Sequence, residues 1–154
     1  MDLAHFKVFA EAFAIGLLFG GERYKARTPG EQQSAGLRTF TVIALMGCVC
    51  CLLDETVFTL AVFAGIVMLL GVGYYRKSAM HLGLTTETSA VLTFWLGYMV
   101  QDYERLAISV AIVTVILLAS KRALHDFVTR QVSEVEFYDT LKFLAVVFVI
   151  FPLL

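Results

Sequence analysis

Residues 60–75 read LAVFAGIVMLLGVGYY, sixteen consecutive apolar, glycine or tyrosine residues without a charge. The run does not alternate between apolar and polar side chains, as a strand of a membrane β-barrel would. An open sheet facing lipid is excluded too, because hydrocarbon offers its backbone groups no hydrogen bonds. As a helix the run would reach roughly 24 Å, most of the way across a hydrocarbon core. The stretch therefore predicts a transmembrane helix.

The rest of the chain has the same character. Its 154 residues are 59% hydrophobic and 16% charged, with a mean hydropathy of +0.80. Soluble proteins carry about a quarter charged residues, so a conventional soluble enzyme is excluded. The net charge of -1 argues against a nucleic-acid partner, which requires clustered excess Lys and Arg. The bilayer is the expected environment.

Six apolar stretches predict an all-α, polytopic bundle of six transmembrane helices in a single domain, residues 1–154. The stretches are Leu3–Gly20, Gly36–Leu53, Val57–Tyr75, Thr86–Val100, Leu106–Ser120 and Thr140–Leu154. Basic residues cluster in every other connection, and the positive-inside rule makes those connections cytoplasmic. These clusters are Arg23, Lys25 and Arg27, then Arg76 and Lys77, then Lys121, Arg122 and Arg130. Both termini are therefore predicted to lie outside.

Small residues recur every fourth position on the first helix, at Ala12, Gly16 and Gly20. Such a face lets another helix backbone approach closely. Packing within the chain is the simpler interpretation, and dimerisation through this face is the alternative. On the same helix, Lys7 and Glu11 lie one turn apart. Glu11 is a candidate functional residue because a charge inside a span is costly, unless Lys7 simply neutralises it.

A polar cluster is predicted where the first helix ends and the second and fourth begin. Its members are Glu22, Arg23, Arg38, Thr39, Thr85, Thr86 and Glu87. If these ends meet, the cluster could hold a divalent cation through oxygen ligands or an anion through the arginines. It could equally be an ion-paired lock without a ligand. Thr85 and Thr86 are also candidate N-cap residues for the fourth helix.

The cysteines lie together near the outer end of the second helix. Cys48 and Cys51 would share a helix face, which allows a weak metal-site hypothesis. Apolar packing is the favoured interpretation, because the spacing matches no paired zinc signature. No nucleophile and base pair or nucleotide-binding fingerprint is present in the sequence, so an enzyme is not expected.

Three motifs, in order, resemble the MgtC/SapB family of bacterial inner-membrane proteins: GLLFGGER at 16–23, AGLRT at 35–39 and GLTTE at 83–87. Residues 124–143 look like the branch in which this module precedes a second membrane domain. The resemblance implies a multi-pass protein of the bacterial inner membrane that acts in growth under magnesium limitation. Some relatives are described as magnesium transporters, and a regulatory role through other membrane proteins is also proposed for the family.

The resemblance leads to two functional hypotheses. The first is a divalent-cation transport or binding unit, with Mg²⁺ as its ion and no other cofactor. Transporters often pair repeats around a central site, so this unit would be a homodimer or would need a paired membrane subunit. The second is a non-transporting module that regulates another membrane complex. The chain ends at Leu154, so a minimal version, a fragment and one half of a larger assembly all stay open.

Overall fold

The computed structural model describes residues 3–26, 36–77, 84–121 and 134–151, and these residues contain no strand. The all-α prediction is confirmed for this part of the chain. The helices are α1 Leu3–Lys25, α2 Leu37–Leu53, α3 Thr56–Lys77, α4 Thr85–Met99, α5 Glu104–Ala119 and α6 Glu134–Ala145, followed by a π-helical turn, Val146–Ile150.

The first five helices match the first five predicted stretches. Polar residues extend α1 to Lys25 and α3 to Lys77, as short apolar stretches require if they are to reach the head groups. The last helix is described from Glu134, so polar residues precede the predicted apolar stretch that starts at Thr140. Residues 122–133, most of the fifth connection, and residues 152–154 lie outside the described part.

Two of the described helices, Leu3–Lys25 and Thr56–Tyr75, are long and apolar enough to cross a membrane. α2 is apolar over 17 residues, while α4 and α5 have 15 and 16 residues. The two long apolar helices agree with a membrane protein, whereas α2, α4 and α5 are shorter than a typical span. The six-span topology with both termini outside stays a prediction.

The connection between α2 and α3 consists of two acidic residues. Asp54 adopts a left-handed conformation with φ of 50°, and its N–H donates to the carbonyl oxygen of Cys51 at 3.1 Å. A short polar residue tolerates this conformation better than most. Glu55 then accepts the backbone hydrogen bond of Thr59 at 2.9 Å, which opens α3. The turn reverses the chain at the predicted position.

The core is formed by α1, α2 and α4. Gly16 lies against Thr41 and Gly20 against Leu37, so α1 and α2 are antiparallel. Gly47 lies against Phe94 and Tyr98, and Cys51 beside Asp102, so α2 and α4 run in the same direction. Phe19, Phe40, Phe94 and Leu96 are among the largest fully buried side chains. These contacts bring the end of α1 beside the start of α2.

Residues 1–118 form one compact unit and residues 119–154 a second. The core described above belongs to the first unit. In the second, Lys142 and Asp139 form an exposed pair at 3.0 Å within α6, a kind of pair that contributes little stability. The prediction of a single domain is not decided by this division.

Candidate functional site

The face formed by Ala12, Gly16 and Gly20 is occupied by α2. A Cβ at Gly16 would lie 2.5 Å from the Cα of Thr41, and a Cβ at Gly20 would lie 2.5 Å from the Cα of Leu37. Ala12 is 0% exposed. Packing within the chain accounts for this face, and α2 already occupies the surface on which the dimer alternative depends.

A second close contact was not anticipated from the sequence. A Cβ at Gly47 would clash with the backbone of Phe94, and a Cβ at Gly97 with the backbone of Ala44. These glycines hold α2 and α4 at a separation that no other residue permits. In the sequence, the small residues Thr93 and Gly97, four positions apart on α4, are the pattern that indicates such a contact.

Glu22 and Arg23 pair with each other at the end of α1. The Nε of Arg23 donates to Oε2 of Glu22 at 2.6 Å. The side chain of Arg23 is only 15% exposed and that of Glu22 only 8%. A carboxylate is unfavourable at the negative end of a helix, and a neighbouring guanidinium compensates for it. The pair is a locally neutral element of the predicted cluster.

Arg38 and Thr39 lie at the start of α2 and are exposed. Within the described ranges, neither makes an ion pair or hydrogen bond with another side chain. The packing of Gly20 against Leu37 places them at the same end of the bundle as Glu22. The structure therefore brings these helix ends together but does not join Glu22 to Arg38.

The start of α4 differs from the prediction in its capping. Leu84 occupies the N-cap position and there is no side-chain cap hydrogen bond. Capping by Thr85 or Thr86 was therefore wrong, since both residues lie inside the helix. The Oγ of Ser89 donates to the carbonyl oxygen of Thr85 at 2.5 Å, and that of Thr88 to the carbonyl oxygen of Leu84 at 2.9 Å.

Glu87 is the most unusual member of the cluster. Its Oε2 is buried and has no hydrogen-bond partner among the described residues. The residue lines an open cavity of about 320 Å³ between α3 and α4. A buried polar atom without a partner is costly, so this oxygen favours a donor or cation that the described residues do not supply. The first turn of α4 adds a favourable helix dipole for its negative charge.

The opposite end of the bundle carries a three-residue ion network. The Nζ of Lys7 lies 3.4 Å from Oε1 of Glu11 and 2.7 Å from Oε2 of Glu104. The hydrogen bond from Lys7 is the main reason that the pKa of Glu104 lies below its ordinary value. Glu11 therefore shares Lys7 with a second carboxylate, and the three side chains together keep a negative charge. Glu104 was missed, because its partner lies 97 positions away.

The three cysteines are buried and free. The Sγ of Cys51 donates a weak hydrogen bond to Oδ2 of Asp102, at 4.0 Å. In the described part of the chain, no three His, Cys, Asp or Glu side chains are grouped to hold a metal ion. The geometry around Cys48 and Cys51 is that of packing residues in a helix interface.

Comparison with known protein families identifies a relationship for this chain. A family model described as the MgtC family matches residues 9–127, which include all three motifs and helices α2 to α5. No curated protein and no solved structure matches the chain.

Proposed function

The chain belongs to the MgtC family, a group of membrane proteins associated with magnesium homeostasis, and from this membership we propose that it acts in magnesium homeostasis as a non-conducting module. It would lie in the bacterial inner membrane and regulate another membrane complex. The closed α1, α2 and α4 core is the observation that carries the proposal.

The core offers no polar surface for an ion. Its buried hydroxyls are used within their own helices: Thr41 donates to the carbonyl oxygen of Leu37 at 2.8 Å, and Thr93 to that of Ser89 at 2.7 Å. Permeation paths are lined by carbonyl or charged groups that replace the hydration shell of the ion. Mg²⁺ dehydrates reluctantly and would need a wide, wet path. Helices in backbone contact at Gly16 and Gly47 leave no such width.

Ion pairing of the membrane carboxylates also supports a non-conducting module. Glu22 is neutralised by Arg23, and Glu11 shares Lys7 with Glu104. A carboxylate that must take up and release Mg²⁺ would be expected to face water rather than a fixed cation.

The second candidate is an oligomeric cation transport or binding unit, in which a partner copy or subunit completes a path. It is favoured by one observation, the unpartnered Oε2 of Glu87. Both candidates predict a growth defect at limiting magnesium when the chain is removed. They differ in whether the chain alone moves the ion.

The distinguishing experiment is a flux measurement on the full chain in liposomes that enclose a magnesium-sensitive dye. We expect Mg²⁺ entry no faster than in protein-free liposomes, with an ionophore as the positive control. We also expect the same chain to restore growth of its deletion strain at limiting magnesium. Flux that Glu22→Gln and Glu87→Gln both abolish would contradict the proposal, as would a deletion strain without a growth defect.

A further inference from the structure

The cavity between α3 and α4 is an apolar groove with one charge. Its α3 wall is formed by Val67, Leu70, Gly71 and Tyr74, and the charge comes from Glu87 on α4. From Val67 to Tyr74 the groove runs about 10 Å along the helix axis. Tyrosine is enriched at head-group level, so Tyr74 marks the end of the groove near the membrane surface.

The polar groups beside Glu87 do not satisfy it. Thr88 also lines the groove, but its hydroxyl donates to the carbonyl oxygen of Leu84. The Oε2 of Glu87 has no partner in the described ranges. The groove thus combines a surface suited to an acyl chain with an acceptor that lacks its donor.

We propose that this groove binds a phospholipid whose head group carries a primary ammonium. The acyl chain lies on the α3 wall, and the ammonium donates a hydrogen bond to the carboxylate of Glu87. A charge-assisted bond of this kind is stronger than a neutral one. A quaternary ammonium lacks the N–H that the carboxylate requires. A head group without a cation leaves the carboxylate unpaired.

A free divalent cation fits the groove less well. Mg²⁺ takes six oxygen ligands, several of them water, whereas the groove supplies one carboxylate among apolar side chains. An amphiphile matches both parts of the surface. The inference goes beyond the proposed function, since lipid binding is compatible with either a conducting or a non-conducting chain.

The groove can be filled without disturbing the helix that forms it. A Cβ at Gly71 would meet no atom within 4 Å, so leucine there can extend into the groove. Gly73 has the same open surroundings but does not line the groove, which makes Gly73→Leu the matched control. Glu87→Gln keeps the shape of the side chain and removes its charge.

The test is native mass spectrometry of the full chain in detergent, titrated with phosphatidylethanolamine, phosphatidylcholine or phosphatidylglycerol of identical acyl chains. We expect the wild type to bind phosphatidylethanolamine about tenfold more tightly than the other two, as one charge-assisted hydrogen bond allows. Glu87→Gln should remove the preference. Gly71→Leu should weaken binding of all three lipids, and Gly73→Leu should change nothing.

Three results would overturn the inference. One is a preference for phosphatidylethanolamine that survives Glu87→Gln. Another is equal binding of phosphatidylcholine and phosphatidylethanolamine, which would assign the groove to acyl chains alone. The third is a lipid-independent dimer that Gly71→Leu dissociates, which would assign the groove to a second copy. If Gly71→Leu does not fold, Glu87→Gln still tests whether the carboxylate selects the head group.

Discussion

Replacing Gly47 with alanine is expected to lower the free energy of unfolding by about 3 kcal/mol, at the upper end of what overpacking costs. The new methyl group would clash with the carbonyl group of Phe94, which belongs to the backbone of α4 and cannot rotate away. The two helices must separate, and the contacts along their whole interface loosen. Gly97→Ala should have a similar effect from the other side.

The matched control is Gly65→Ala on α3, where the added Cβ meets no atom within 4 Å. Thermal unfolding of both variants in the same detergent, followed by circular dichroism, compares them directly. Gly65→Ala should keep the Tm of the wild type or raise it slightly, because alanine is the better helix former. Equal midpoints for the two variants would show that α2 and α4 are not in backbone contact.

Truncation of Phe94 should be comparably severe. The side chain is 0% exposed, and its ring centroid lies 5.5 Å from that of Phe63 and 5.7 Å from that of Trp95. Phe94→Ala would leave a cavity between α3 and α4. We expect a loss of about 3 kcal/mol, the lower end of the range for soluble cores, because packing rather than burial from water stabilises helices in lipid.

Phe13→Ala provides the comparison for Phe94→Ala, since Phe13 on α1 is 46% exposed. Its removal should change stability little. The measurement is the denaturant midpoint of each purified variant, followed by far-UV circular dichroism rather than by Trp95, whose surroundings change. Similar midpoints for the two variants would contradict the position of Phe94 in the core.

The sequence predicted the position of most helices because charges interrupt the apolar runs at the membrane surface. Asp54 and Glu55 separate α2 from α3, and the polar segment at 101–105 separates α4 from α5. The face of small residues on α1, formed by Ala12, Gly16 and Gly20, likewise indicated a close helix contact. These features are local, so each can be recognised without knowing which helix lies opposite.

Pairings between distant helices could not be predicted. In lipid every helix face is apolar, so hydrophobic periodicity does not indicate how a helix is rotated. The ion pair of Lys7 with Glu104 depends on that rotation, as does the failure of Glu22 to meet Arg38. The prediction therefore placed Glu22 and Arg38 at the correct end of the bundle but did not give their contacts. Among the described residues, Glu87 keeps a buried side-chain oxygen without a hydrogen-bond partner.

Water is not expected to enter the core formed by α1, α2 and α4, and the native cysteines test this. Cys48 and Cys50 are each 1% exposed on α2. In liposomes containing the full chain, a charged maleimide should label neither residue, whereas Glu55→Cys, at an exposed turn, should react rapidly. Labelling sites are read by mass spectrometry, with detergent-unfolded protein as the fully reactive reference.

Protection of Cys48 and Cys50 in the folded chain, together with full labelling after unfolding, is the result that a closed and non-conducting core predicts. Modification of either residue at a rate close to that of Glu55→Cys would show a water-filled path through the core. That result would contradict a closed and non-conducting core.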